Sequence, residues 1–344
     1  MRREPWSTRA RRNSPTTKAP TILAEQRATA PGIEYRFFYY PPVFLLVCAA
    51  LARLPYLPAF LVFEGATSFF YLIFMRRVLG ERGWRVFIPL LAFPAVFWTM
   101  GLGQNAFLTA ALFGAATLCI DRRPVLAGVL FGALCYKPHF GLLVPVALLA
   151  GHHWRASAAA FASAAALCGL SLVLLGWETW HDFLAAAAGS HATYESGQIT
   201  FGGLVSPFGA VLSLGGTRAA AYAVQAGATL AAGFLVAVVW RRGYSLPVRA
   251  AILAAATLVA IPIVLIYDLM LGAIAAAWLI RDAGRLPAWG TTALACLFVL
   301  TLDPRGMAEV SHIPIAPLMA IGLVALAAAQ VFYADARSAR YATP

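Results

Sequence analysis

Residues 101–155 read GLGQNAFLTAALFGAATLCIDRRPVLAGVLFGALCYKPHFGLLVPVALLAGHHWR, three apolar segments separated by GQN, DRRP and KPH. The first, 106–120, is just long enough to cross a bilayer. The next two, 124–136 and 140–151, reach roughly 20 Å each against a hydrocarbon core of ~30 Å. They are predicted to form a broken pair that rises from one membrane face and returns to it, with Lys137, Pro138 and His139 at the turn.

The turn of this pair carries a cation. Pro138 removes a backbone donor and disfavours helix at the residue before it, so a break is expected there. A charge at membrane depth costs several kcal/mol unless it meets water or an anion, which predicts that Lys137 lines a polar cavity. The alternative is a loop lysine at the membrane interface.

The composition identifies the class of protein. Of 344 residues, 61% are hydrophobic and only 12% are charged, which predicts an all-α, polytopic integral membrane protein. The net charge of +12 comes from residues in short loops, where it acts as a topology signal and does not indicate a nucleic-acid partner. The five cysteines lie in apolar segments without paired spacing, so neither disulfides nor a metal site are expected.

The chain divides into three parts. Residues 1–36 are basic and polar, and disorder is expected there; residues 37–334 form the transmembrane domain; residues 335–344 are a cytoplasmic tail. Roughly nine to eleven membrane segments are expected, several of them short or broken. Besides the three already described, the expected segments are 43–54, 59–75, 86–100, 156–175, 219–240, 250–266, 269–280, 289–302 and 315–332, with an amphipathic surface helix at 177–190.

The basic residues indicate an orientation. If the spans alternate, most loop arginines, among them Arg77, Arg123, Arg155 and Arg281, fall on one side, which is then the cytoplasmic side. The GQN and KPH turns, the 177–216 loop and the 303–312 loop fall on the other. This clustering predicts an outward-facing polar cavity. The heavy use of Ala, Gly and Arg is typical of a GC-rich bacterial genome, so a bacterial cell (inner) membrane is expected.

The outward side combines three kinds of group. Cations could neutralise a phosphate, histidines could move a proton, and acids could serve as a base or bind sugar hydroxyls. These groups are Lys137, Arg218, Arg305, His139, His181, His191, His312, Asp182, Glu195, Asp268, Asp303 and Glu309. The alternative for such loop charges, and for His181, His191, Asp303 and Glu309 in particular, is that they are simply solvated.

Three further polar positions are candidates. Asp268, with its neighbour Tyr267, interrupts an apolar run and would be costly without a role. Glu64 lies inside an apolar segment, where it either functions or is wetted near a helix end. Gln104 either contacts a ligand or, with Asn105, caps the following helix. No P-loop, HExxH, GxSxG or metal-ligand spacing occurs in the sequence.

At these residues the sequence resembles glycosyltransferase family 87. The matching pieces are Tyr40-Pro41-Pro42, Pro94 to Gly103-Gln104-Asn105, Asp121-Arg122-Arg123-Pro124 with Ala127-Gly128, Lys137-Pro138-His139 and Tyr267-Asp268-Leu269. The resemblance implies the GT-C architecture and metal-independent, inverting transfer of a hexose, typically mannose, from a polyprenyl-phosphate donor to a glycolipid or glycan hydroxyl on the outer face. No other cofactor is implied. The partners would be membrane lipids, donor and acceptor.

Under this resemblance, Lys137 and His139 would face the donor phosphate and Asp268 would support the cavity. Gln104, Tyr267 and Arg218 complete the expected substrate-binding set. Family members carry an earlier helix and an outer loop with the presumed catalytic Asp, which residues 1–39 lack, so no catalytic residue is assigned and a truncated or inactive chain is one expectation. A transporter or flippase for a lipid-linked substrate is another, since broken helices and intramembrane charges also mark substrate pathways.

Overall fold

A computed structural model describes residues 38–189, 203–282 and 289–341 of the chain. These ranges are almost entirely helical, and the only β-type pairing within them is an isolated bridge between Leu204 and Leu265. The predicted basic segment 1–36 and the loop residues His191 and Glu195 lie outside the described residues. The chain is therefore an all-α protein over the part that the structure describes, as the composition predicted.

The α-helices are α1 (Pro42–Leu51), α2 (Tyr56–Leu79), α3 (Phe87–Leu91), α4 (Pro94–Leu102), α5 (Ala106–Cys119), α6 (Pro124–Gly132), α7 (Val144–Ala150), α8 (Trp154–Leu175), α9 (Trp177–Gly189), α10 (Pro207–Ser213), α11 (Arg218–Arg241), α12 (Leu246–Ala260), α13 (Met270–Arg281), α14 (Gly290–Leu300), α15 (Pro304–Ser311) and α16 (Ile315–Tyr341). Short 3-10 turns are formed by Trp84–Val86, Ala133–Tyr136, Pro138–Gly141 and Ile266–Leu269.

Among the residues that the structure describes, four helices are long and apolar enough to cross a membrane: α2, α8, α11 and the Ile315–Phe332 part of α16. A further pair, Trp84–Leu91 and Pro94–Leu102, is bent by 68°. Shorter apolar helices make up much of the remainder, including Ala106–Cys119, Pro124–Tyr136 and Pro138–Ala150. The chain is thus a polytopic helical membrane protein with the short and broken segments that were expected.

Three expected elements differ from the structure, each for a local reason. The span expected at 86–100 is broken before Pro94, because proline cannot donate into the preceding turn and instead begins α4. The helix expected at 250–266 ends at Ala260, since Pro262 disfavours helix at Ile261, which is extended. The 303–312 segment, expected as a loop, contains α15, whose first turn is capped by Asp303.

The centre of the bundle is α12. Every residue from Val248 to Ala260 is buried, which is the pattern of a helix surrounded by protein on all sides. It packs against α11, α13 and α16. The segment that carries Asp268 runs from α12 into α13 and is therefore anchored to this central helix.

Helix α6 packs unusually closely on α8. A Cβ added to Gly128 would lie 2.2 Å from the Ala156 carbonyl oxygen, and one added to Gly132 would lie 2.3 Å from the Ala160 carbonyl oxygen. Two glycines four residues apart thus let the two backbones touch, a packing mode common between membrane helices. This contact fixes the helix that leads directly into the Lys137 turn.

Several helices have arginines at their termini, and these termini lie together at one end of the bundle. Arg281 Nη1 donates to the carbonyls of Arg77 and Val78, each at 2.9 Å, and so ties the end of α13 to the end of α2. Arg249 Nη2 donates to both carboxylate oxygens of Asp121, at 2.8 and 2.7 Å, and ties the start of α12 to the turn before α6. Lys137 lies away from the Asp121 turn, because α6 and the turn Ala133–Tyr136 separate the two.

A histidine belongs to the arginine-rich end. His153 Nε2 lies 3.2 Å from Arg249 Nη1, and its ring packs edge-on against Trp240 with centroids 5.6 Å apart. Burial, and then the positive charge of Arg249, lower the pKa of His153 below its ordinary value, while Asp121 opposes them. His153 therefore favours its neutral form in the folded protein.

Candidate functional site

The site is built on the interruption between α6 and α7. After α6 the chain tightens into the turn Ala133–Tyr136, and Lys137 leaves helical geometry with φ −139° and ψ 65° before Pro138 begins a second turn. The Lys137 backbone stays hydrogen-bonded, its N–H to Leu134 and its carbonyl to the Phe140 N–H. The break predicted at the KPH turn is confirmed, and it leaves the Lys137 side chain inside the protein.

Lys137 forms an ion pair with Asp268. The Nζ and Oδ1 atoms are 2.7 Å apart, and the two side chains are only 4% and 5% exposed. The ammonium also lies 5.0 Å from the Phe140 ring centroid and 5.3 Å from that of Tyr267, distances at which aromatic faces attract a cation. The costly charge thus meets an anion and two aromatic rings inside the protein, so Lys137 is not an exposed loop residue.

A short extended segment positions Asp268. Between α12 and the turn Ile266–Leu269 the chain runs alongside residues 204–206, where the Val205 N–H donates to the Val264 carbonyl at 2.8 Å and Ser206 Oγ donates to the Pro262 carbonyl. Asp268 Oδ2 accepts the Leu265 N–H at 3.2 Å. Both oxygens of Asp268 are therefore hydrogen-bonded, one to Lys137 and the other to its own turn.

The end of α12 is satisfied by side chains of α11. Gln225 Nε2 donates to the Val259 carbonyl at 3.0 Å, and Thr229 Oγ1 donates to the Ala260 carbonyl at 2.8 Å. These carbonyls would otherwise be unpaired where the helix stops. The two residues stabilise the helix end from which the Asp268 segment starts.

A second layer of polar groups surrounds the ion pair. The hydroxyls of Tyr136 and Thr109 are 2.6 Å apart, and the Tyr40 hydroxyl donates to Gln104 Oε1 at 3.3 Å. The Phe44 ring lies between the two tyrosines, with centroid distances of 4.9 Å to Tyr40 and 5.4 Å to Tyr136. The Tyr-Pro-Pro step, the GQN turn and the KPH turn are thus connected by side chains.

The comparisons with known proteins bear on this arrangement. The model of glycosyltransferase family 87 matches residues 38–266, which is more than half of the chain. The chain belongs to glycosyltransferase family 87. No curated protein and no solved structure matches it. The family 87 match includes Gln104 and Lys137 and ends just before Tyr267 and Asp268, and it is consistent with the expected GT-C type.

Not all of the predicted site residues of this family 87 chain come together. Lys137 contacts both Tyr267 and Asp268. Gln104 is connected to Tyr136, the residue before Lys137, through the side chains of Tyr40 and Phe44. His139 is exposed beside the pair, with its ring centroid 4.6 Å from that of Phe140. Arg218 lies at the exposed first turn of α11, and no contact joins it to Lys137 in the described part of the chain.

Sequence reasoning missed several members of the site. Tyr136 and Thr109 were not singled out, although Tyr136 directly precedes Lys137. Asn105 was interpreted as a helix cap; it occupies the N-cap position of α5, but its side chain makes no capping hydrogen bond. It is instead buried near the Tyr40 hydroxyl, which shows tertiary packing overriding a local preference.

Several of the charged residues expected on the outer side are exposed to solvent, as the alternative to a functional role predicted. His181 and Asp182 are 3.7 Å apart on α9, and Arg305 and Glu309 form an exposed pair at 3.0 Å along α15. Asp303 accepts the Gly306 N–H at 2.9 Å as a helix cap. Within the described ranges, no three His, Cys, Asp or Glu side chains are placed to hold a metal ion.

A largely apolar groove lies along α4. It has a volume of about 460 Å³ and is lined by Ala92, Pro94, Phe97, Trp98, Gly101, Leu102 and Leu302. The groove follows α4, whose end is continuous with Gly103 and Gln104, and α4 also packs on the turn that holds Asp268. In this family 87 chain the helix that lines the apolar groove therefore also packs against the turn that carries the buried Asp268.

Proposed function

We propose that this membrane glycosyltransferase transfers a hexose, mannose in the first instance, from a polyprenyl-phosphate donor to a glycolipid or glycan hydroxyl on the outer face of a bacterial cell membrane. The observation that carries the proposal is the buried Lys137–Asp268 pair, whose two residues are 131 positions apart in sequence. A buried ion pair contributes little to stability, because the cost of desolvating both charges offsets much of their attraction. We therefore infer that this pair serves the reaction.

Lys137 has the chemistry that the donor requires. When the bond between the anomeric carbon and the phosphate oxygen breaks, the phosphate gains negative charge. A cation held in a low-dielectric site stabilises that developing charge far better than one in water. Asp268 holds the lysine in place until the phosphate arrives, and Tyr267 and Phe140 provide cation–π contacts beside it.

The groove along α4 supports a lipid carrier. A polyprenyl chain is apolar, and it must stay in an apolar environment while its phosphate reaches the lysine. The groove lining is mostly apolar, and its Gly101–Leu102 end is close in sequence to Gln104, whose amide can hydrogen-bond sugar hydroxyls. His139, exposed at the turn beside Lys137, is placed to donate a hydrogen bond to the same phosphate.

Membranes containing the chain test this function. Polyprenyl-phosphate-[14C]mannose is supplied with octyl α-mannoside as acceptor, in parallel with polyprenyl-phosphate-[14C]glucose and GDP-[14C]mannose. Label should pass to the acceptor from the polyprenyl-phosphate-mannose. Transfer from the glucose donor alone would correct the sugar, transfer from GDP-mannose would refute the donor class, and the absence of any transfer would refute the function.

Lys137→Ala isolates the proposed role of the lysine. Donor use, measured as transfer per amount of protein in the membrane, should fall by about 100-fold or more, the size expected for loss of one transition-state contact. The control is Arg305→Ala, which removes an exposed cation from α15. It should change neither donor use nor the amount of protein in the membrane. Equal losses of donor use and membrane abundance in Lys137→Ala would make the lysine structural.

A further inference from the structure

The described part of the chain contains two buried carboxylates, and only one of them has hydrogen-bond partners. Asp268 uses both of its oxygens, as described above. Glu64, in the middle of α2, is 4% exposed, and neither Oε1 nor Oε2 has a hydrogen-bond partner. Burying a carboxyl group without a partner is expensive, so a residue in this state indicates a missing contact.

Glu64 lies at the same depth as Asp268. Helices α2 and α13 pack against each other and are joined at one end by Arg281 and the Arg77 carbonyl. Glu64 lies thirteen residues before Arg77, and Asp268 lies thirteen residues before Arg281. The 3-10 turn around Asp268 changes this register by only about 2 Å.

The neighbours of Glu64 reach both sides of the site. Phe60, one turn before it, lies against Gly103, where an added Cβ would be 3.2 Å from the ring. Phe63 packs on Phe44 with centroids 6.1 Å apart, and Phe44 stacks on Tyr136, the residue before Lys137. The turn of α2 that carries Glu64 therefore packs against the GQN turn through Phe60 and, through Phe63 and Phe44, against the residue that precedes the KPH turn.

We propose that Glu64 binds the acceptor hydroxyl and takes its proton, an inference that rests on the proposed function. The acceptor oxygen attacks the anomeric carbon and forms the new glycosidic bond. The bond from that carbon to the phosphate oxygen breaks, and its electron pair leaves with the polyprenyl phosphate toward Lys137. The hydroxyl proton passes to the Glu64 carboxylate, which becomes a neutral acid. Asp268 is already paired with Lys137 and with the Leu265 N–H, so Glu64 is the buried carboxylate of the described residues that has no partner of its own.

Kinetics of three variants test the inference, with polyprenyl-phosphate-[14C]mannose and octyl α-mannoside as probes. Glu64→Gln keeps the shape but cannot accept a proton, so kcat should fall by about 10²–10⁴-fold while the donor KM stays within about 3-fold. Glu64→Asp should retain part of the rate. Tyr71→Phe is the control, because it removes a buried hydroxyl without a partner from the same face of α2, and its kcat should match the wild type.

The outcomes separate the two proposals. A wild-type chain that uses none of the sugar donors refutes the proposed function and this inference with it. A wild-type chain that transfers sugar while Glu64→Gln transfers equally well refutes the role of Glu64 alone. A Glu64→Gln variant whose kcat, donor affinity and heat resistance all decline together would show a structural residue and would also overturn it.

Discussion

Replacing both members of the buried ion pair should harm the fold less than replacing either one. Lys137→Met and Asp268→Leu each leave an uncompensated charge where water has little access, and such a change typically costs about 3–5 kcal/mol. The double variant removes both charges together. Its remaining loss is the hydrogen bond from the Leu265 N–H to Asp268, about 1–3 kcal/mol.

Heat resistance in detergent measures this difference. At about 2 °C per kcal/mol for a chain of this size, each single variant should lose about 6–10 °C and the double variant about 2–6 °C. The fraction of monodisperse protein after heating, followed by size-exclusion chromatography, gives the midpoints. Losses that simply add in the double variant would refute an interaction between the two side chains.

The same double variant separates stability from function. Because it lacks the cation, its transfer of sugar from the polyprenyl-phosphate donor should be as low as that of Lys137→Ala even though its fold is largely restored. A double variant that regains both heat resistance and transfer would show that the pair is structural and would refute the assigned role of Lys137. The measurement thus decides between the two explanations of a buried charge.

Three other features can be tested in the same way. Gly132→Val should abolish stable membrane accumulation, because its side chain would enter the α8 backbone, whereas Gly169→Val, with open space around it, should accumulate normally in immunoblots. The pKa of His153 is lowered on folding, so its contribution to stability is present above about pH 6.5 and is lost as the pH falls below that value. The melting midpoint of His153→Gln should therefore fall less steeply with acid than that of the wild type. The pH dependence of the midpoint in the control His152→Gln, at an exposed position, should match the wild type. Gln225→Leu should lower the melting midpoint by about 2–6 °C, since it leaves a buried carbonyl and a buried N–H unpaired, and a midpoint equal to the wild type would show that other groups satisfy them.

Much of the fold could be predicted because lipid restricts it so strongly. Segment length and apolar content predicted the helices, and the prolines predicted the break at Lys137. Pro94 and Pro262 carried equally clear signals for the broken span and for the extended segment. Hydrophobicity alone treats a bent pair or an interrupted helix as one span, which explains those errors.

The site could be predicted in part. Lys137 and Asp268 stood out because each is a charge in an apolar run, but their pairing depends on how distant helices are arranged around α12, which no local pattern records. Glu64 was visible as an intramembrane acid, whereas its shared depth with Asp268 follows only from the contact between Arg281 and α2. Arg218 carried a charge of the right sign but lies at an exposed helix start.

The ion pair has a consequence for biogenesis. Lys137 leaves the ribosome 131 residues before Asp268, which at ~5–20 residues per second corresponds to about 7–26 s of synthesis. During that interval the nascent α6–α7 segment either carries an unpaired ammonium into the bilayer or waits beside the insertion machinery until Asp268 has been synthesised. Final docking of the hairpin is thereby coupled to emergence of the second half of the polypeptide, and quality-control proteases would meet any product arrested between the two residues with its lysine still exposed.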